Sequence, residues 1–158
     1  MPATTDVVSA ITHHHAELEA SLISRVEAVV GAARAGVSYD AAVAELRDLL
    51  ANDIVPHARA EEDVLYAAAI ADTLRPLISG MIFEHNTILG LVKRLAAVTT
   101  GVDAAATAFA IQAVFGGHVR RENELLLPAL AADSAVDLPA LLPIMEERFA
   151  SYRAHPVR

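Results

Sequence analysis

Four times along this chain an apolar stripe of helical spacing is broken near its middle by a histidine. The stripes run Val8, Ile11, His15, Leu18, Leu22; then Val43, Leu46, Leu50, Ile54, His57, Glu61, Val64; then Ile78, Met81, His85, Ile88, Val92, Leu95; and last Ala108, Ile111, Val114, His118, Glu122, Leu125. Steps of three and four residues put each set on one helix face. In two stripes a glutamate follows the histidine by four residues, on the same face. Imidazoles and carboxylates among aliphatic side chains are costly unless paired or coordinated. One such histidine is commonly satisfied by a hydrogen bond. Four of them, one per helix, with two glutamates, ask for a common partner.

Turn chemistry marks out the helices. Thr5 is the expected cap of the first, which ends near Gly36. The second opens at Asp40 and runs to about Ala71, with a kink or break at Pro56. The third begins near Pro76 and fades at Thr99-Thr100-Gly101; Asp103 caps the fourth, which reaches about Ala132 despite Pro128. A shorter helix, about 137–153, continues from Asp137-Leu138-Pro139 and carries Met145 and Phe149. Short connections predict an all-α fold: one domain over 1–158, an up-down-up-down four-helix bundle over about 5–132, and an additional C-terminal helix outside it. At 1.5 Å per residue, all four stripe histidines then fall roughly 15–20 Å from the same end of the bundle. Glu61 and Glu122 lie one turn lower, close to the level of His15 and His85. Six ligand-type side chains are expected to share one depth.

Composition narrows the chemistry. The chain is 54% hydrophobic but only 4% aromatic, so the core is aliphatic, and the abundance of Ala and Leu favours helix. There is no cysteine, which excludes disulfides, thiolate-bound zinc and iron–sulfur clusters within the chain. The formal net charge is −8 and Lys93 is the one lysine, so neither nucleic acid nor an anionic membrane is an expected partner. The apolar stretch Ala104 to Gly117 is shorter than the about 18 residues a bilayer requires. No signal-peptide pattern opens the sequence, and a cytoplasmic location is expected.

Imidazole with carboxylate and no thiolate suits iron, manganese or zinc. Six ligands are too many for one catalytic zinc and natural for two carboxylate-bridged ions. The ferritin-like arrangement orders its pair Glu-x-x-His; here the order is His-x-x-x-Glu and histidines outnumber glutamates.

Over roughly residues 8–132 the chain resembles the hemerythrin-like (HHE cation-binding) family. The carrying segments are His14-His15-Ala-Glu-Leu, His57-Ala-Arg-Ala-Glu61-Glu62-Asp-Val-Leu-Tyr66, Glu84-His85-Asn-Thr-Ile and His118-Val-Arg-Arg-Glu122-Asn-Glu-Leu-Leu-Leu-Pro128. The resemblance implies two iron ions, oxo- or hydroxo-bridged, held by His15, His57, His85 and His118 with Glu61 and Glu122 bridging. The family's oxygen carriers have a further histidine four residues after the third-helix one, and an aspartate for the fourth-helix glutamate. Here the first of those positions is Leu89 and the second Glu122. The site thus looks more like the branch associated with peroxide or nitric oxide chemistry.

Around these six, Tyr66 and His14 are alternatives, each either an extra ligand or an outer residue beside the ligands. On a regular helix Tyr66 stands about 140° round from Glu61, on the flank of the stripe. Phe115, one turn before His118, is expected to wall the pocket for a small molecule. Glu19 is a reserve ligand or helix surface; Glu62, Asp63, Arg120 and Arg121 read as a solvated face, and His13 and His155 as surface. Gly80, Gly90, Gly116 and Gly117 sit near the ligand histidines, where close helix approach or gas access would account for them.

The expected function is reaction of a non-haem di-iron centre with hydrogen peroxide, nitric oxide or dioxygen in oxidative or nitrosative stress defence. A catalase-like activity is one form of it. The alternatives are a reversible dioxygen- or nitric oxide-binding or sensing module, and an iron-handling protein. The chain is expected as a monomer or homodimer.

Overall fold

The computed structural model describes residues 3–155, and the outermost residues of the 1–158 domain lie outside that range. The described chain is all-α, without strands. Helix α1 spans Thr4–Ala35. The second rod is α2 (Asp40–Leu49), a wide π turn (Leu50–Ile54), α3 (Val55–Glu61) and a second π turn (Glu62–Tyr66). A 3₁₀ turn (Asp72–Leu74) leads to α4 (Arg75–Leu95). The fourth rod is α5 (Gly101–Arg121), a π turn (Glu122–Leu126) and α6 (Leu127–Ala132); α7 (Leu138–Ala154) comes last.

Caps set these starts by local hydrogen bonds. Asp6 accepts from the Ala3 N–H (3.1 Å), so α1 begins before Thr5 rather than at it. Gly36, at φ 66°, ends α1 in the left-handed conformation glycine adopts without strain. Thr100, not Asp103, caps α5: its hydroxyl accepts from the Asp103 N–H (3.1 Å), while Asp103 sits three residues inside. Asp137 caps α7, its carboxylate accepting from the Ala140 N–H (3.2 Å), close to the expected start.

Three wide turns change the register of the buried stripes. At Pro56 the rod does not break: the Val55 N–H reaches the Leu50 carbonyl, and the wide turn absorbs the proline beyond it. Pro128 is accommodated the same way by the turn Glu122–Leu126. Each inserted residue moves the later positions round the helix. Leu126 is therefore fully buried, whereas Leu125, which regular spacing puts in the stripe, is 54% exposed. On α1 the buried stripe starts at Val7 rather than Val8.

Packing closes the four rods into a ring, α1 against α5 and α2, and α4 against α5 and α2. Two aliphatic clusters fill it. One is centred on Leu22, Leu46, Leu50, Ile111 and Phe115, the other on Leu65, Met81, Leu126, Leu130 and Leu138. The histidines and glutamates lie between them. Helix α7 lies over the second rod: Tyr152 donates to Asp63, Arg153 pairs with Asp53 at 3.1 Å, and Phe149 packs against the rings of His14 and His57. The rod Gly101–Ala132 is long and apolar enough, by length and composition, to cross a membrane, where the uncharged stretch Ala104–Gly117 alone is not. Its buried face carries His118 and Glu122 into the bundle.

Candidate metal centre

Each rod delivers its histidine to the gap between the two cores. His15 is fully buried, and His57, His85 and His118 are 4%, 4% and 2% exposed; Glu61 and Glu122 are fully buried. All six side chains meet. Glu61 sits in the middle and faces two ways. Its Oε1 lies 3.1 Å from His15 Nε2 and 2.6 Å from His57 Nε2; its Oε2 lies 3.6 Å from His85 Nε2 and 3.9 Å from His118 Nε2. Two compact donor triads result, His15–His57–Glu61 and Glu61–His85–His118. Glu122 comes near one histidine of each triad through a single oxygen, its Oε2 3.4 Å from His15 Nε2 and 3.7 Å from His118 Nε2.

The outer nitrogens are held by hydrogen bonds that leave the inner ones free. His85 Nδ1–H donates to Glu62 Oε1 (2.7 Å), His118 Nδ1–H to Glu84 Oε2 (3.1 Å) and His15 Nδ1–H to Asn123 Oδ1 (2.7 Å). Arg121 anchors Glu84 through its other oxygen. A neutral imidazole protonated at Nδ1 presents a lone pair at Nε2. The Nε2 atoms of His85 and His118 therefore face each other, lone pair to lone pair, 3.0 Å apart. Two ligand nitrogens each about 2.1 Å from one cation, at right angles, stand about 3.0 Å from one another. Nearby, Glu61 Oε2 and both Glu122 oxygens are buried without a hydrogen-bond partner among the described residues, and His57 Nε2, 2.6 Å from Glu61 Oε1, lacks the angle of a hydrogen bond to it. Uncompensated polar atoms of this kind are rare in protein interiors, and these fit a metal centre.

Protonation in the metal-free chain results from crowding. Burial pushes the Glu122 carboxyl well above its ordinary range, and repulsion from Glu61 adds to it. Burial opposes charge on Glu61 too, but His57, His118 and His15 outweigh it and hold that carboxyl well below the usual range. His15 is raised: burial lowers it, yet the hydrogen bond to Glu61 and its charge prevail. Burial, with His118 nearby, lowers His85.

A family model described as the hemerythrin HHE cation binding domain matches residues 6–130. The chain belongs to that family. No match was found among curated proteins or among solved structures.

Within this hemerythrin domain the remaining residues take definite places. Tyr66 is not on the flank. The π turn Glu62–Tyr66 inserts a residue and brings it onto the inner face, 6% exposed. Its hydroxyl donates to His118 Nε2 (3.3 Å) and its ring stacks on His85 (5.6 Å, 13°). Burial first, then the charges of Glu61 and Glu122, push that hydroxyl far above its ordinary range. His14 stays outside the cluster, half-buried against His57 and Phe149. A cavity of about 170 Å³ between the second rod and α4 reaches His57, Glu61, His85 and His118, and Phe115 and Leu89 are among its walls. Glu19 turns to α5, where the missing Cβ of Gly116 leaves room for its carboxylate; a Cβ there would lie 2.9 Å from Oε1. Gly80, Gly90 and Gly117 face open space, so no close approach accounts for them.

Glu62, Glu84, Arg121 and Asn123 are not legible as site residues in the sequence. Glu62 and Arg121 read there as solvated surface, yet both belong to the hydrogen-bonded surround. The one signal is adjacency: Glu62 comes directly after Glu61, Glu84 precedes His85 and Asn123 comes directly after Glu122.

Proposed function

We propose that this hemerythrin domain holds two iron ions and turns over small oxidants, hydrogen peroxide foremost, with nitric oxide and dioxygen as related ligands. One observation carries the reading: Glu61 divides its two oxygens between two histidine pairs. A carboxylate so placed would help hold two cations at once, and Glu122, whose Oε2 lies within 3.7 Å of a histidine of each pair, would join it. The donors are imidazole nitrogen and carboxylate oxygen without sulfur, which suits iron. The same reading takes the four rods as running up, down, up and down, so that ligands from all four share one level.

When bound, the iron pair would supply one-electron redox chemistry and Lewis acidity to a small oxygen- or nitrogen-centred ligand. The chain's own part is positioning and exclusion. The cavity of about 170 Å³, walled in part by Phe115 and Leu89, has ample room for a diatomic molecule or peroxide next to the histidines. Leu89, where the oxygen carriers of the family have a further histidine, leaves that side without a seventh protein donor and lines the cavity with an aliphatic wall. Tyr66 keeps its proton at a hydroxyl 3.3 Å from His118 Nε2, next to the donor atoms. The aliphatic clusters above and below keep bulk water out.

The test is metal analysis of the protein purified without added metal, then peroxide addition with dioxygen measured. Two iron ions per chain and dioxygen evolution well above that of the same iron free in solution are expected. Iron-loaded protein no faster than free iron removes the turnover reading. Reversible optical change on cycling dioxygen and vacuum would instead make it a carrier or sensor, and zinc in place of iron a metal-handling protein.

A further inference from the structure

The outer nitrogens of the histidines form a ring of contacts that passes from each rod to the next. Glu62 on the second rod accepts from His85 on the third, Glu84 on the third from His118 on the fourth, and Asn123 on the fourth from His15 on the first. The remaining step runs from His14 on the first rod to His57 on the second. There the neighbour is an imidazole ring at 5.0 Å, tilted by 59°, backed by Phe149. The ring is therefore unequal. Both histidines facing Glu61 Oε2 lean on carboxylates. Of the two facing Oε1, one leans on an amide, and His57 has no outer carboxylate among the described residues.

A carboxylate that accepts the outer N–H draws on that proton and makes the inner nitrogen a stronger metal donor; a neutral amide does so far less. Glu84 is the better placed of the two. Its side chain is 16% exposed and pinned by Arg121, whereas Glu62 is 37% exposed and partly screened by solvent.

We propose that the two metal positions are unequal by construction. The one formed by His85, His118 and Glu61 Oε2 holds its ion more tightly, and Glu62 and Glu84 are the positioning residues that make it so. The position formed by His15, His57 and Glu61 Oε1 releases its ion first. This rests on the two-ion reading above, and metal content measured before the experiment tests that reading separately: any count other than two per chain removes it.

The experiment withdraws metal from the as-isolated protein with excess iron chelator under reducing, anaerobic conditions. Release is expected in two phases of one ion each. In E62Q/E84Q, which keeps the accepting oxygens and removes their charge, the slow phase should accelerate about 10–100-fold while the fast phase stays within about threefold. His57→Ala should retain one ion, released in the slow phase alone. Single-phase release of both ions from the unmodified protein overturns the proposal. So does equal acceleration of both phases in E62Q/E84Q, no acceleration at all, or a His57→Ala protein whose one ion leaves in the fast phase. If the double variant does not fold, judged by circular dichroism, Glu84→Gln alone is measured against the same outcomes.

Discussion

The Nε2 atoms of His85 and His118 lie 3.0 Å apart, and neither carries a hydrogen to place between them. Both rings already give their proton outward, to Glu62 and Glu84. Two lone pairs at that distance repel unless a cation, or a proton taken up for the purpose, sits between them. The bundle thus builds its interior around a place for positive charge, which fits a metal centre.

Glu61 belongs to both donor triads, so its removal should cost more metal than removal of any one histidine. Glu61→Gln is expected to fall from two ions to near none, whereas His57→Ala keeps one. Metal content per chain checks this. A bound ion stabilises the folded state by mass action, and loss of both should lower the melting temperature of the as-isolated protein by roughly 5–15 °C.

Glu122 burdens the metal-free fold in a pH-dependent way, while its carboxylate is expected to help retain metal. Burial and Glu61 raise its carboxyl well above the ordinary value of 4.5 in the metal-free protein. Below 4.5 it is protonated folded and unfolded alike and is neutral to stability. As pH rises past that value the unfolded carboxyl ionises and the folded one does not, so metal-free stability falls until the raised folded value is passed. Glu61 is lowered, so its contribution is full at neutral pH and is lost as pH falls through its depressed value. Glu122→Gln should therefore raise the metal-free melting temperature at pH 7, much less at pH 4, and impair metal retention. In the unmodified protein, metal entry should release protons, which calorimetry in buffers of different ionisation enthalpy would count.

Much of this centre is legible in the sequence because a helix repeats its face. The three- and four-residue steps through His15, His57, His85 and His118 suffice to bring four rings to one depth. They fail where the helix is not regular. Regular spacing misplaces Leu125 and Tyr66 because each lies in a wide turn, where one added residue rotates the rest of the rod. Two of the three wide turns have a proline just beyond them, at Pro56 and Pro128, but the turn that redirects Tyr66 has no such mark. Nor can the partners of the outer nitrogens be read from one helix: Glu62, Glu84 and Asn123 each serve the histidine of the next rod, and that depends on how the rods are ordered.

Tyr66 brings its hydroxyl to 3.3 Å from His118 Nε2, and one variant separates a proton donor from a metal ligand there. Tyr66→Phe keeps the ring that stacks on His85 and removes the hydroxyl beside His118. Metal content should be unchanged, while peroxide-driven dioxygen evolution should fall by about tenfold or more. Loss of an ion in this variant would make the hydroxyl a metal ligand instead.

The glycines near the site differ in what they do. Gly117 faces open space, so Gly117→Ala should add about 0.5–1 kcal/mol of stability and raise the melting temperature by about 1–3 °C. Gly116→Ala should gain less, since its Cβ would meet Glu19 Oε1 at 2.9 Å and the flexible carboxylate must swing aside. Thermal unfolding of the two variants under identical metal loading compares them.

The most direct measurement is an anomalous difference map collected at the iron edge on crystals of the as-isolated protein. Two peaks are predicted, about 3.5–4 Å apart, one beside His15 and His57, the other beside His85 and His118, with the Glu61 carboxylate between them. A single peak, or peaks away from Glu61, would contradict the account.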